Sequence, residues 1–205
     1  MTQTEQIVRL KIQLDDWHPI IWRHVEVPLA AALKALHDVI QAMMPFLDHH
    51  PFEFNVGDRR YGIPDPEWDT IGRKTYAAKT TKLSKLIESG SKKFTYTYDF
   101  GDNWQHTVTV ETVSAADPMI EYPRYIDGGG RAPPEDVGGL TGFENFLEAM
   151  ADPDHEEHDA VKTWYGALFE PEIPNKDAIR TRVAKLARRR TLGKVAFAKS
   201  RNQAN

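Results

Sequence analysis

Between Lys93 and Val110 the chain keeps a two-residue period so closely that a β-hairpin is the one local structure able to bury its apolar half. Phe94, Tyr96, Tyr98 and Phe100 alternate with Lys93, Thr95, Thr97 and Asp99. Beyond the break, Trp104, His106, Val108 and Val110 alternate with Gln105, Thr107, Thr109 and Glu111. A two-residue loop at Asp102-Asn103 would set the aromatic row against the threonine row on one face. A three-residue loop, Gly101-Asp102-Asn103, instead pairs Phe100 with Trp104, Tyr98 with His106, Tyr96 with Val108 and Phe94 with Val110. The sequence therefore predicts the three-residue loop, with Asn103 in the left-handed conformation that closes it. The same register puts His106 on the apolar face beside Tyr98, as a core histidine hydrogen-bonded to a hydroxyl. Asp99 and Asp102 turn outward at the rim.

At 205 residues the chain suits one domain, read as 1–190 with an α+β core over 5–140 and a helical part over 141–190. The absence of cysteine excludes disulfides, zinc-thiolate sites and a cysteine nucleophile. No apolar run reaches the length of a membrane span and the N-terminus does not read as a signal peptide, so a cytoplasmic protein is expected. The net charge of −4 conceals an asymmetry. Nine basic residues and no acidic one fall between Arg180 and Asn205, which leaves 17 basic against 30 acidic residues in 1–179, a formal −13. An acidic body is ill suited to gripping a phosphate backbone. The basic end either touches nucleic acid through Arg180, Arg182, Lys185, Arg188, Arg189 and Arg190 or neutralises its own protein, and the second is the simpler expectation.

In chain order, residues 7–14 alternate as a first strand, and 20–27 read as a second, antiparallel to it across the Asp15–Pro19 turn. Leu29, Leu33, Leu36, Ile40 and Met43 recur at helical spacing, so an amphipathic helix over 29–44 should cover the sheet, with His37 partly buried beside its stripe. Residues 52–56 read as a strand, 63–80 as a long loop, and 82–87 as one helical turn. Thr141 to Glu144 has the form of a capping box opening a helix through Met150. Asp152-Pro153 should start a second helix over 154–168, and Asn175 a third over 176–190. Residues 191–205 read as a basic flexible tail. The fold class that follows is α+β: a mainly antiparallel sheet covered by an amphipathic helix, with a C-terminal helical segment.

Two tempting motifs are set aside. The Gly128-Gly129-Gly130 triplet is followed by no Gly-Lys-Ser/Thr and does not make a phosphate loop. His155 and His158 are three apart, whereas the helical zinc-protease signature spaces its histidines by four.

Tyr98 to His106 together with Pro133-Pro134-Glu135-Asp136-Val137-Gly138-Gly139 resemble the plasmid pRiA4b ORF-3-like family. Supporting matches follow in family order: Ile21-Trp22-Arg23, Leu36 to Gln41, Gly142 to Leu147 and Asp152 to His158. The resemblance spans about residues 7–187 and implies a single α+β domain of no established activity, with an association to mobile genetic elements. Asn103 stands where the family usually has glycine, and the cysteine that often precedes the double proline is missing.

The leading functional expectation is a non-enzymatic binding or interaction module with an exposed polar rim, its partner an unidentified protein or nucleic acid. The candidate binding residues are Tyr98, Asp99, Asp102, Trp104, His106, Arg124, Arg131, Glu135 and Asp136. The alternative is a metal-assisted hydrolase or nuclease. Asp99, Asp102, Glu135 and Asp136 offer hard oxygen ligands for magnesium or manganese, His106 a base, and Arg131 or Arg124 a phosphate contact. No organic cofactor is expected; a divalent metal fits the second reading.

Overall fold

The computed structural model describes residues 4–65 and 74–203. Among the described residues, eight strands form one sheet: β1 (Gln6–Leu14), β2 (Trp22–Pro28), β3 (Phe52–Val56), β4 (Arg59–Gly62), β5 (Thr75–Ala77), β6 (Lys93–Tyr98), β7 (Trp104–Ala115) and β8 (Arg124–Gly129). Their order is β5-β4-β3-β6-β7-β1-β2-β8, antiparallel throughout except for the β4–β5 pair. The expected loop over 63–80 contains β5, while residues 66–73 of it lie outside the described residues.

The long strand β1 is hydrogen-bonded to β2 on one side and β7 on the other. Its Val8, Leu10, Ile12 and Leu14 are buried, as the alternation requires. Helix α1 (Leu33–Met43) lays Leu33, Leu36, Val39, Ile40 and Met43 on this face, completing the core with Phe54, Tyr96, Tyr98 and Trp104. His37, expected to be partly buried, is wholly enclosed. It can be, because both ring nitrogens find partners: Nδ1 lies 2.8 Å from the Tyr96 hydroxyl and Nε2 2.7 Å from Asp48 Oδ1.

Helix α2 (Leu83–Glu88) follows β5 and buries Leu83 and Leu86. Helices α3 (Gly139–Ala151) and α4 (His158–Tyr165) pack on each other through Phe146, Tyr165 and Trp164. Helix α5 (Lys176–Gln203) lies against α1 and β8, burying Ile179, Val183 and Ala187.

Several helix boundaries depart from expectation, α1 among them, which begins at Leu33 and not at 29. Helix α3 begins at Gly139 after a left-handed Gly138, and no side chain caps it, so the Thr141 capping box does not form. Helix α4 begins at His158 because Asp152 accepts the Asp154 N–H in a local turn instead of capping a helix. Helix α5 continues to Gln203, where a flexible tail was expected: the run after Arg190 is rich in Ala, Lys and Arg, which favour helix, and holds no proline. Asn175 does cap it, Oδ1 accepting the Ala178 N–H at 3.1 Å.

Several cations of α5 are spent on the acidic body. Arg190 and Lys194 both pair with Glu5, and Arg189 lies 3.5 Å from Asp38. Arg180 pairs with Asp177 within the helix. The other candidate cations, Arg182, Lys185 and Arg188, lie on the same helix.

Candidate functional site

The central hairpin differs from its predicted register by two residues. Tyr98 pairs with Trp104, Tyr96 with His106 and Phe94 with Val108. A slip of two leaves each side chain on its face, so the rings and His106 stay inward while the loop grows to five residues, Asp99–Asn103. Local chemistry favours the longer loop. Asp99 takes the left-handed conformation at φ 56°, and its Oδ1 accepts the N–H groups of Gly101 (2.9 Å) and Asp102 (3.3 Å). The Asp99 carbonyl accepts the Asn103 N–H, and Asn103 closes the loop at φ 55°. Two expectations fall with the register. Asp99 is buried at the rim instead of turning outward from it, and Phe100 is half exposed at the loop apex, not paired in the core.

The Pro-Pro-Glu-Asp segment folds back onto this loop. The Gly138 N–H donates to Asp102 Oδ2 at 3.1 Å, and Gly139, at φ 69°, lies so close that a Cβ there would come within 2.8 Å of the Asp102 carbonyl oxygen. Asp102 is therefore a strap between the two segments.

Above that strap sits His50, which sequence reasoning did not single out. Its Nε2 lies 2.8 Å from Asp136 Oδ1, 3.6 Å from Asp99 Oδ2 and 3.8 Å from Glu135 Oε1. Glu135 is fixed from two sides, by the Tyr98 hydroxyl at 2.8 Å and the Leu47 N–H at 2.6 Å. The Tyr98 hydroxyl in turn accepts the His49 N–H at 3.1 Å. The hydrogen bond to Asp136, with the charges of Asp99 and Glu135, holds the His50 imidazolium above its ordinary pKa. Burial and the Glu135 carboxylate push the Tyr98 phenol far up, so it remains a donor. We expect Tyr98→Phe, which strands Glu135 Oε1 and the His49 N–H, to cost about 1–2 kcal/mol in urea unfolding. A variant as stable as the parent would contradict the arrangement.

The remaining candidates lie elsewhere. Trp104 is packed in the core. His106 is also fully enclosed, its Nδ1–H donating to the Trp104 carbonyl at 3.1 Å, and burial lowers its pKa to about 4. The hydroxyl-bonded core histidine expected there is His37, because the shifted register sets Tyr96 beside His106 while its hydroxyl reaches α1. Arg124 forks onto Glu26 at 2.7 Å on the outer face. Arg131 donates to the Tyr165 hydroxyl at 3.0 Å and stacks over Phe169. His155 and His158 turn to the Glu157 N–H and the Ala149 carbonyl, as a structural reading of that pair requires. A second acidic group, His37 with Asp38 and Asp48, already holds the Lys34 ammonium, 2.7 Å from Asp38 and 3.3 Å from Asp48.

The only warning of His50 was its place in His49-His50-Pro51, just ahead of β3. Proline exposes no N–H and favours an extended lead-in, which carries the preceding side chain to the sheet's end.

The family described as plasmid pRiA4b ORF-3-like protein matches residues 6–178. The chain is 38% identical over 193 residues to the uncharacterized protein y4hQ of Sinorhizobium fredii (strain NBRC 101917 / NGR234), covering 90% of this chain and 98% of that one. It also resembles the crystal structure of the protein of unknown function MM3350 from Methanosarcina mazei Go1, with a TM-score of 0.75 and 34% identity. That match covers 83% of this chain and 96% of the other. No helix among the described residues is long and apolar enough to cross a membrane.

Proposed function

The chain belongs to the plasmid pRiA4b ORF-3-like family, and from that premise we propose that it is a binding module whose rim holds a divalent cation between His50, Asp99 and Asp136. The supporting observation is that ligand atoms of these three residues, drawn from three separate segments, lie within 4.8 Å of one another. Glu135 stands behind them, oriented by Tyr98 and Leu47, as an outer partner.

The donor set modifies the expectation of magnesium or manganese. One imidazole among carboxylates favours a first-row transition ion, zinc ahead of manganese, over a cation that prefers oxygen alone. The cation would take the place of the proton that His50 now shares with Asp136. Affinity should therefore fall as pH drops through the raised His50 pKa.

A hydrolytic variant finds less support. Arg124 and Arg131, offered as phosphate contacts, are engaged with Glu26 and with Tyr165 and Phe169, and His106 is sealed in the core. A role in mobile elements through the α5 cations is weakened in the same way, because several of them are paired on the body.

Calorimetric titration of zinc and manganese into the full chain tests the proposal. We expect a dissociation constant of about 10⁻⁶–10⁻⁵ M for zinc, weakened at least tenfold by Asp136→Asn and abolished by His50→Ala. No heat with any divalent ion at pH 7.5 would dispose of it.

A further inference from the structure

The sheet face turned away from α1 carries a second feature, unlike the core in chemistry. Between β4, β3, β6 and the start of β7 runs an open groove of about 920 Å³. Its floor is set by register. Glu53 of β3 lies opposite Thr97 of β6, which lies opposite Gln105 of β7, so carboxylate, hydroxyl and carboxamide follow one another across three strands. One row along, Asn55 lies opposite Thr95. Gly62 faces Glu53 from β4, where a Cβ would meet the Phe52 carbonyl oxygen at 2.9 Å. At the mouth stands Phe100, 54% exposed at the apex of the hairpin loop.

We propose that this groove binds a neutral, polyhydroxylated ligand, a short oligosaccharide, with Phe100 as the platform for a sugar ring. Three observations lead there. First, the size lies at the upper end of small-molecule sites, roughly 300–1,000 Å³, which suits more than a single sugar ring. Second, the lining is mixed, with the apolar Phe52, Ile63, Pro64 and Phe100 beside polar strand side chains, and its charges among the described residues, Glu53 and Asp65 with Arg60, which lies 3.7 Å from Glu53, do not suit a polyanion. Third, the floor carries planar amides, a carboxylate and threonine hydroxyls, with Asn55 donating to Glu53 Oε1 at 2.7 Å and Gln105 to Asn103 Oδ1 at 3.2 Å, which leaves each of these groups further hydrogen-bonding capacity. The amides and hydroxyls both donate and accept and the Glu53 carboxylate accepts, so hydroxyl groups of either polarity find partners along the floor. Burying hydroxyl groups demands such partners, and a site built to supply them rejects analogues that lack the hydroxyls. An exposed aromatic at the rim supplies the apolar contact for the C–H face of a ring.

A polar peptide would fit this surface less well. The floor's main-chain N–H and C=O groups are committed to the ladder, so a peptide backbone would have to be met by side chains alone.

The groove does not depend on the cation reading. It shares Pro51 and Phe100 with the neighbourhood of His50 and Asp99, but none of the cation's ligands line it.

The test uses the full chain, isotope-labelled, in EDTA, so that failure of the cation site leaves it untouched. Maltotriose, cellotriose, xylotriose and chitotriose are titrated while backbone amide shifts are followed by NMR. We expect at least one to bind with a dissociation constant of about 1 mM or tighter. The shifts should concentrate at Glu53, Asn55, Thr97 and Gln105.

Phe100→Ala and Gln105→Ala, both exposed positions, should each weaken that binding about tenfold with the fold unchanged. Thr97→Val keeps the shape and the β-branch while removing the hydroxyl, and should weaken it similarly. Three results would overturn the proposal: no shifts with any of the four sugars, shifts mapping to another surface, or unchanged affinity in all three variants. Tighter binding of a polar peptide or of single-stranded DNA at the same amides would overturn it as well.

Discussion

Lowering the pH from 6.5 to 4 should remove a large share of the stability of this protein, through two histidines buried in the neutral form. Burial lowers the His106 pKa to about 4, and burial with the nearby Lys34 charge lowers that of His37 to about 4. Their unfolded value is near 6.5. Between the two values the unfolded chain binds more protons than the folded one, so stability rises with pH across that window and is complete above 6.5. Each histidine contributes about 3 kcal/mol over the interval, and together about 6 kcal/mol, a large share of the roughly 5–15 kcal/mol that holds an ordinary domain. His50 has the opposite sign, since its raised pKa favours the folded state as pH falls, but it is the more exposed group and its effect is correspondingly smaller. Glu5, Glu26 and Asp48, held below the usual carboxylate range, give way only at more acid pH, so the windows separate. Urea unfolding at steps from pH 7.5 to pH 4.5 reads the effect directly. His106→Leu should remove about half of the slope. A midpoint constant down to pH 5 would show that the two rings are not buried as described.

The contrast between these residues and the rim explains what the sequence could and could not disclose. Face was readable: period-2 alternation put Tyr96, Tyr98, Trp104 and His106 inward, and all four are buried. Register was not, because slips of two residues preserve every face and differ only in which loop closes the ribbon. Here the choice fell to the Asp99 carboxylate, which satisfies two loop N–H groups and so ends the strand before Phe100. Strand β8 was equally hidden. Its Arg124-Tyr125-Ile126-Asp127-Gly128-Gly129 has no clean alternation, and it is held by pairing with β2 and cover from α5. For the rim, the sequence supplied Asp99, Glu135 and Asp136 but not the histidine that joins them. Convergence of three distant segments is a tertiary fact, and the expected base, His106, was the wrong histidine for an intelligible reason: the alternation that names a buried face also removes its members from any solvent-facing site.

Arg23 is a buried ionisable group whose replacement should be severe: Arg23→Leu strands three carbonyl acceptors and should cost about 3–5 kcal/mol. The side chain is 1% exposed on the core face of β2, opposite Ile12. Among the described residues it has no carboxylate partner. Instead Nε donates to the Met43 carbonyl at 3.1 Å, and Nη1 to those of Trp22 (2.7 Å) and Gly129 (2.8 Å). Met43 ends α1, so the guanidinium sits where the helix dipole is most negative, and it ties that helix end to edge strand β8. Room for it is made at Gly128, where a Cβ would stand 2.7 Å from Arg23 Cδ. Burial lowers the pKa only to about 10, which leaves the group charged at neutral pH. A buried ion pair can often be exchanged whole for apolar residues at little cost, but these acceptors are backbone carbonyls and stay behind when the donor is removed. Arg23→Lys keeps the charge yet has a single donating nitrogen in place of the planar fork, so it should recover less than half of the loss. Chemical denaturation of both variants at pH 7.5 decides the matter. A leucine variant within about 1 kcal/mol of the parent would mean that the three carbonyls do not need their donor.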